Sequence, residues 1–183
     1  MSLNRTDIQW TWTLQPDGTW SKGSTWNPST GCRRVSPGCG KAGTGSCYAE
    51  RLISTRLRHL PKYEGIARFT ANGPQFTGEH RIDMNVMLAP LRSKRGRRIF
   101  VNDMGDLFFE GHPFEDIAMI FAVMLCAHWH TFQVLTKRAK RMREFLAWIT
   151  EKPERLVDCC ERAGITEVQR GFGLLSMTAS PRP

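Results

Sequence analysis

The sequence lacks any apolar stretch long enough to cross a membrane, and it has no internal repeat and no low-complexity tract. A bilayer span needs about 20 apolar residues in a row, and the first residues also lack the apolar core of a secretion signal. We therefore expect a cytoplasmic protein. Because the cytoplasm is reducing, its six cysteines are not expected to form a disulfide framework, so clustered cysteines point to metal binding or catalysis.

Acidic residues are few relative to basic ones, with 17 Asp and Glu against 26 Lys and Arg, which gives a formal charge of +9. This excess favours anionic partners such as nucleic acid or nucleotides, although a solvated basic surface gives the same balance. The 183 residues suit one hydrophobic core. We assign residues 1–150 to an α/β domain and residues 151–183 to a C-terminal helix and loose tail.

The apolar pattern predicts alternating strands and helices. Near the start, it predicts a strand at 8–12 and a hairpin closed by Pro16-Asp17-Gly18. Further along, it predicts a helix at 47–59, a strand at 97–102, a helix at 113–128, a strand at 131–135 and helices at 138–150 and 153–163. This order implies parallel pairing, and ligands bind parallel sheets at the carboxyl ends of the strands. The helix at 47–59 is expected to bury Tyr48, Leu52 and Thr55.

Half of the cysteines lie close together in a glycine-rich loop at 27–47, namely Cys32, Cys39 and Cys47. Thiolates bind soft and borderline metals, and glycines allow a short loop to bring them together. Spacing alone leaves two metals open: an iron–sulfur cluster, or zinc with a fourth ligand such as His59 or His80. A third interpretation is three unrelated loop cysteines. The other three, Cys126, Cys159 and Cys160, are expected to be structural.

Several strings of residues occur in the order found in a known family: Trp26-Asn27-Pro28, Gly31-Cys32, Val35-Ser36-Pro37-Gly38-Cys39, Cys47-Tyr48-Ala49-Glu50-Arg51, Arg97-Arg98-Ile99-Phe100-Val101-Asn102, Asp106-Leu107-Phe108 and His130-Thr131-Phe132-Gln133-Val134-Leu135-Thr136-Lys137-Arg138. They resemble the phage gene-product thirty-seven/sixty-eight family of uncharacterised phage and bacterial proteins, which is similar to radical-SAM enzymes. Members of that family have two residues between the second and third cysteines. This chain has seven, Gly40–Ser46.

The resemblance implies a partial (β/α) barrel-like parallel sheet, here truncated after about three βα units. It also implies a 4Fe-4S cluster held by Cys32, Cys39 and Cys47. S-adenosylmethionine would bind the open iron, and electron transfer would cleave its carbon–sulfur bond to give a radical that abstracts hydrogen. The expected function is that of an iron–sulfur, radical-SAM-type phage or prophage protein of unknown substrate. A truncated or inactive copy would show the same motifs, so no catalytic residue is assigned.

The cofactor-binding candidates are polar residues that follow the two later strands, Asn102, Asp106, Thr136 and Lys137. An amide or carboxylate there would bind the methionyl amino group, and a hydroxyl or ammonium would meet a carboxylate or phosphate. A turn cap is an equal alternative for Asp106. For Lys137 and its neighbour Arg138, we favour a solvent-exposed helix start.

The alternative function is a non-catalytic, zinc-stapled or nucleic-acid-binding basic protein. Basic residues cluster at 92–98, before one predicted strand, and at 137–143, after the next. Parallel strands would place these clusters at opposite ends of the sheet. So short a sheet also predicts an exposed edge that a protein partner would cover.

Overall fold

The computed structural model describes residues 3–39 and 47–166. Its strands are β1 (Asn4–Arg5), β2 (Thr13–Leu14), β3 (Trp20–Ser21), β4 (Ser24–Trp26), β5 (Ser29–Thr30), β6 (Ala67–Thr70), β7 (Gly73–Phe76), β8 (Arg81–Ile82), β9 (Arg98–Val101) and β10 (Thr131–Val134). Its α-helices are α1 (Tyr48–Ser54), α2 (Met84–Met87), α3 (Ala89–Arg92), α4 (Phe114–Cys126), α5 (Ala139–Glu151) and α6 (Glu154–Arg162). None of these helices is both long and apolar enough to span a membrane.

The main sheet has four strands in the order β1-β4-β9-β10. Strands β4, β9 and β10 run parallel, with Phe100 of β9 opposite both Thr25 and Gln133, whereas β1 is antiparallel to β4. The predicted parallel pairing and the α/β class are therefore confirmed. The sheet is open, and no barrel closes among the described residues. Since three strands run in one direction, the residues that follow them meet at one edge.

A large hydrophobic cluster joins the main sheet to α4, α5 and α6, and a smaller one lies under α1. Helix α4 is apolar on almost every side because it packs against α3 and α6, and its buried residues are Ile117, Ala118, Met119, Ile120, Ala122, Val123 and Cys126. Phe145 of α5 is fully buried among the rings of Phe108, Phe114 and Phe121. Helix α6 adds Leu156, Cys159 and Cys160. The prediction that Cys126, Cys159 and Cys160 belong to the core is confirmed.

The predicted hairpin at Pro16-Asp17-Gly18 is present, but the predicted strand at 8–12 is wrong. Strands β2 and β3 pair around the turn, where Asp17 accepts a hydrogen bond from the Thr19 backbone N–H at 2.9 Å. Gln9–Thr11 instead forms a 3₁₀ turn. The hydroxyl of Thr11 donates to the Ile8 carbonyl at 2.7 Å, which favours a turn over an extended strand.

The predicted helix at 47–59 is shorter and turned differently from expectation. Helix α1 ends at Ser54, and Tyr48 and Thr55 are exposed rather than buried. Its buried face carries Glu50, together with Ala49 and Ile53. The apolar pattern predicted the wrong buried face, because the face that is buried carries the carboxylate of Glu50. The ion-pair partner of Glu50 lies elsewhere in the chain. Of the region 151–183, α6 is present as the predicted helix, and the predicted loose tail, at 171–183, lies outside the described residues.

Candidate functional site

A cleft of about 530 Å³ lies at the carboxyl edge of β9 and β10. All three clustered cysteines and all four predicted cofactor-binding residues line it, and the full lining comprises Trp10, Cys32, Gly38, Cys39, Cys47, Tyr48, Phe100, Asn102, Asp103, Gly105, Asp106, Leu135, Thr136, Lys137 and Arg138. Residues separated by more than a hundred positions therefore share one cavity. The parallel sheet is the main reason, because the chain segments that follow β4, β9 and β10 all leave it at the same edge.

Cys32 is held in the cleft by close contact between two backbone loops. Gly31 has a φ of +124°, and a Cβ there would lie 2.7 Å from the Glu79 carbonyl oxygen. A Cβ on Gly105 would lie 2.9 Å from the Gly31 carbonyl oxygen. The Asp106 backbone N–H donates to that same oxygen at 3.3 Å. Only glycine fits these positions without displacement of the loops.

The other two cysteines reach the cleft from different local structures. Cys39 ends a 3₁₀ turn and donates its backbone N–H to the Ser36 carbonyl at 2.9 Å. Cys47 directly precedes α1. Residues 40–46, which link the two, lie outside the described part of the chain. Within the described ranges, no group of three His, Cys, Asp or Glu side chains is arranged to hold a metal ion.

The buried carboxylate of Asp106 joins the loop after β9 to the loop after β10. It accepts hydrogen bonds from the Thr136 hydroxyl at 2.8 Å and the Lys137 backbone N–H at 3.3 Å. It also accepts one from Arg138 Nη1 at 2.9 Å and one from the Phe108 backbone N–H at 2.9 Å. The last bond is the predicted turn cap. Both carboxylate oxygens of Asp106 already accept hydrogen bonds from the protein, so Asp106 acts by positioning its neighbours.

Arg138 is buried, with 6% of its surface exposed, and it is not the solvent-exposed helix start that the sequence favoured. Its guanidinium contacts Asp106, donates to Glu110 at 2.9 Å and donates to the Arg33 carbonyl at 2.8 Å. Its Nη1 also lies 3.7 Å from the Cys32 sulfur. The charged residues on either side of Arg138 obscure this role in the sequence.

Two cationic side chains face two of the cysteine sulfurs. Lys137 Nζ lies 3.5 Å from Cys39 Sγ, and Arg138 Nη1 lies 3.7 Å from Cys32 Sγ. Burial raises the pKa of Cys39, but hydrogen bonds from the backbone of Val35 and Ser36, the Ser36 hydroxyl and Lys137 outweigh it and lower the pKa to about 7. Burial dominates at Cys32 and raises its pKa to about 11 despite Arg138. The site therefore supplies positive charge where thiolates would form.

Asn102 lines the cleft and has an unused hydrogen-bond acceptor. It is 3% exposed and adopts a φ of +57°, a left-handed conformation that asparagine tolerates. Its amide nitrogen donates to the Ser29 hydroxyl. Its Oδ1 is buried and has no hydrogen-bond partner among the described residues. A buried polar atom without a partner is unfavourable, so this oxygen is suited to accept a hydrogen bond from a bound ligand.

A buried ion pair that no pattern in the sequence predicts lies beside the cysteines. Glu50 is 1% exposed, and both of its carboxylate oxygens accept hydrogen bonds from Arg34 Nε at 3.1 Å. Glu50 also accepts the backbone N–H of Phe76 at 3.1 Å. The pair fixes α1, which begins just after Cys47, to the loop that contains Cys39. The two partners are sixteen positions apart in the chain, too far for a local pattern to reveal the pairing.

The two histidines considered as zinc ligands lie elsewhere. His59 is exposed. The ring of His80 packs edge-on against His112, with centroids 5.1 Å apart, and against Phe109. Neither lines the cleft that contains the cysteines.

His112 predicts a pH dependence of stability. It is 1% exposed, and neither ring nitrogen has a partner among the described residues. Burial, aided by charge on His80, Arg141 and Arg138, lowers its pKa from 6.5 to about 4. Below pH 6.5 the unfolded chain binds a proton that the folded chain excludes. The free energy of unfolding should therefore fall by about 2 kcal/mol from pH 7.5 to pH 5 through this residue.

Urea denaturation of the wild type and of His112→Phe at both pH values measures this effect. Phenylalanine keeps a ring in an aromatic environment and removes the titration. The variant should lose about 2 kcal/mol less than the wild type over the same interval. Equal losses in the two proteins would exclude the histidine as the cause.

Together, these features define a mixed α/β protein with a cysteine-lined cleft at the carboxyl edge of a parallel sheet. Residues 6–170 match the sequence profile of a family described as a protein of unknown function (DUF5131), and the chain belongs to that family. Neither a curated protein nor a solved structure matches it.

Proposed function

We propose that this chain is an iron–sulfur protein of the radical-SAM type, with a 4Fe-4S cluster on Cys32, Cys39 and Cys47 and S-adenosylmethionine beside it. The observation that supports this function is the shared cleft. The three thiols and the four polar residues expected at the cofactor site come from separate parts of the sequence, and they line one cavity. The open parallel sheet is compatible with an incomplete (β/α) barrel.

The residue types that line the cleft suit an anionic cluster, whose binding would have to draw the three thiols together from their positions around it. Three thiols face one cleft without a fourth cysteine in its lining, so one iron would keep an open position. Lys137 and Arg138 lie within 3.7 Å of two of the sulfurs, where they offset negative charge. Zinc remains the competing metal for the same thiols.

Asn102, Thr136 and Lys137 are the residues proposed to bind the methionyl group. The unused oxygen of Asn102 would accept a hydrogen bond from its amino group, and Lys137 would attract its carboxylate. Asp106 would act indirectly by fixing Thr136 and the Lys137 backbone. Trp10 and Phe100, which meet edge-on at 5.5 Å, give the cleft an apolar wall for an aromatic base.

When bound, the two cofactors would supply reductive cleavage of a carbon–sulfur bond and hydrogen-atom abstraction from a substrate. The reaction requires one electron from an external low-potential reductant. The chain itself would bind and orient the cofactor and keep positive charge next to the sulfurs.

Anaerobic reconstitution with ferrous iron and sulfide tests the proposal. The wild type should take up about four iron and four sulfide per chain and develop the broad visible absorption of a thiolate-bound cluster. Replacement of Cys32, Cys39 or Cys47 by alanine should abolish that absorption, because each replacement removes one ligand. Cys126→Ala is the matched control and should keep the cluster, since this cysteine lies in the core.

A second arm of the same experiment separates the cofactors. Asn102→Gly keeps the left-handed backbone and removes the side chain, so it should keep the iron but bind S-adenosylmethionine about tenfold more weakly by calorimetry. A colourless wild type with stoichiometric zinc would refute the iron–sulfur proposal. Iron uptake without any binding of S-adenosylmethionine would refute its radical-SAM part.

A further inference from the structure

A second pocket, of about 300 Å³, lies at the opposite end of the sheet from the cysteines. Strand β9 begins at this pocket with Arg98 and ends near the cleft with Val101, so the two sites are about 10 Å apart along the strand. The β2–β3 hairpin forms its other wall. The cationic residues among its ten lining residues are Arg5, Lys22, Arg95, Arg97 and Arg98.

Half of that lining is cationic, and none of it is acidic. Lys22 forms an ion pair with Asp7, which is outside the lining. The four arginines have no carboxylate partner among the described residues. Their positive charges therefore add within one small concave volume, and a bound anion would relieve the repulsion.

Neutral acceptors hold three of these arginines in place. Arg97 Nη1 donates to the Ser24 hydroxyl at 3.2 Å, and Arg98 Nη1 donates to the Trp12 carbonyl at 3.1 Å. Arg95 Nη2 lies 3.5 Å from the Gln15 side-chain oxygen. These contacts orient the guanidinium groups without neutralising them. An arrangement of this kind reduces the entropy lost when a ligand binds.

We infer that this pocket binds the phosphate groups of a nucleotide or of a nucleic-acid strand. Guanidinium groups match phosphate oxygens in bidentate geometry, and several converging arginines favour a ligand with closely spaced negative charges. The pocket volume is at the lower end of the range for ligand pockets. It can hold phosphate groups, while the rest of the ligand would lie outside the pocket. The inference is independent of the proposed cluster, because it uses no residue of the cysteine-lined cleft.

The test measures binding of three probes to the full chain at low salt: inorganic pyrophosphate, ATP and a labelled single-stranded oligonucleotide. Arg95→Glu/Arg98→Glu should weaken binding about tenfold or more, because it reverses two charges in the pocket. The control Arg56→Glu/Arg58→Glu changes the net charge equally at two exposed positions elsewhere and should retain most of the affinity. The milder double variant Arg95→Gln/Arg98→Gln removes the two charges without reversing them. It tests the same pocket if the charge-reversed variant does not fold.

The probes distinguish the two sources of phosphate. Pocket-dependent binding of both pyrophosphate and ATP, with ATP bound more tightly than pyrophosphate and at least as tightly as the oligonucleotide, would identify a nucleoside phosphate. Tight, steeply salt-dependent oligonucleotide binding that the pocket variants weaken would identify a strand. The inference is overturned if no probe binds at low salt, or if both double variants weaken binding to the same extent. Cys32→Ala should leave pocket binding unchanged whatever happens to the cluster.

Discussion

Replacement of Asp106 by alanine is expected to lower the free energy of unfolding by about 3–5 kcal/mol. The carboxylate is the buried partner of Arg138, and its removal leaves that guanidinium largely out of water with only the more exposed Glu110 to pair with it. It also frees the Thr136 hydroxyl and two backbone N–H groups. Chemical denaturation of the purified protein at neutral pH measures the loss.

Glu110→Ala is the matched control for this prediction. Glu110 contacts the same guanidinium at the same 2.9 Å distance, but its side chain is 58% exposed. Solvent screens such a pair, so its loss should lower the free energy of unfolding by less than about 1 kcal/mol. Similar losses of unfolding free energy for the two variants would show that the buried hydrogen bonds and ion pair of Asp106 are not a major source of stability.

Replacement of Glu50 by alanine should lower the free energy of unfolding by about 3 kcal/mol. Its side chain extends from the buried face of α1, where it pairs with Arg34 and accepts a hydrogen bond from the Phe76 N–H. Alanine would leave both donors without this acceptor and open a cavity beside Ile53. Glu50→Gln keeps an acceptor oxygen for Phe76 and should lose less. Urea titrations of the three proteins give the comparison.

Arg51→Ala provides the control on the same helix. Arg51 is exposed next to the buried Glu50, and its replacement removes one charge without disturbing the core. We expect a change within about 0.5 kcal/mol. The buried ion pair would be excluded as a major source of stability if Glu50→Ala had an effect as small as this one.

The sequence predicted the parts of the fold that have strong apolar periodicity. Strands β9 and β10 and helices α4, α5 and α6 were found because their apolar residues recur over enough positions to fix the element type. Because these strands and helices alternate along the chain, parallel pairing of the strands was also predicted. That pairing is why Asn102 and Thr136, at the ends of adjacent strands, were predicted to lie near each other.

Other features of the site depend on pairings that no local pattern shows. Strands β5 and β8 have two residues each, too few to reveal an alternation. Glu50 looks like a surface residue in the sequence, and its burial is tolerable because Arg34 and the Phe76 N–H, both distant in the chain, pair with it. Arg138 lies among other charged residues, and its partner Asp106 comes from another loop. Buried charges were missed because their counterions are remote in the chain.

The contact between Gly31 and Gly105 has a consequence for how the family can vary. No side chain separates the two loops there, so main-chain atoms alone set the spacing between the Cys32 loop and the Asp106 loop. Substitutions elsewhere in the cleft wall can change its size and polarity without changing that spacing. The scaffold can therefore present different cleft walls over one fixed arrangement of thiol, carboxylate and guanidinium.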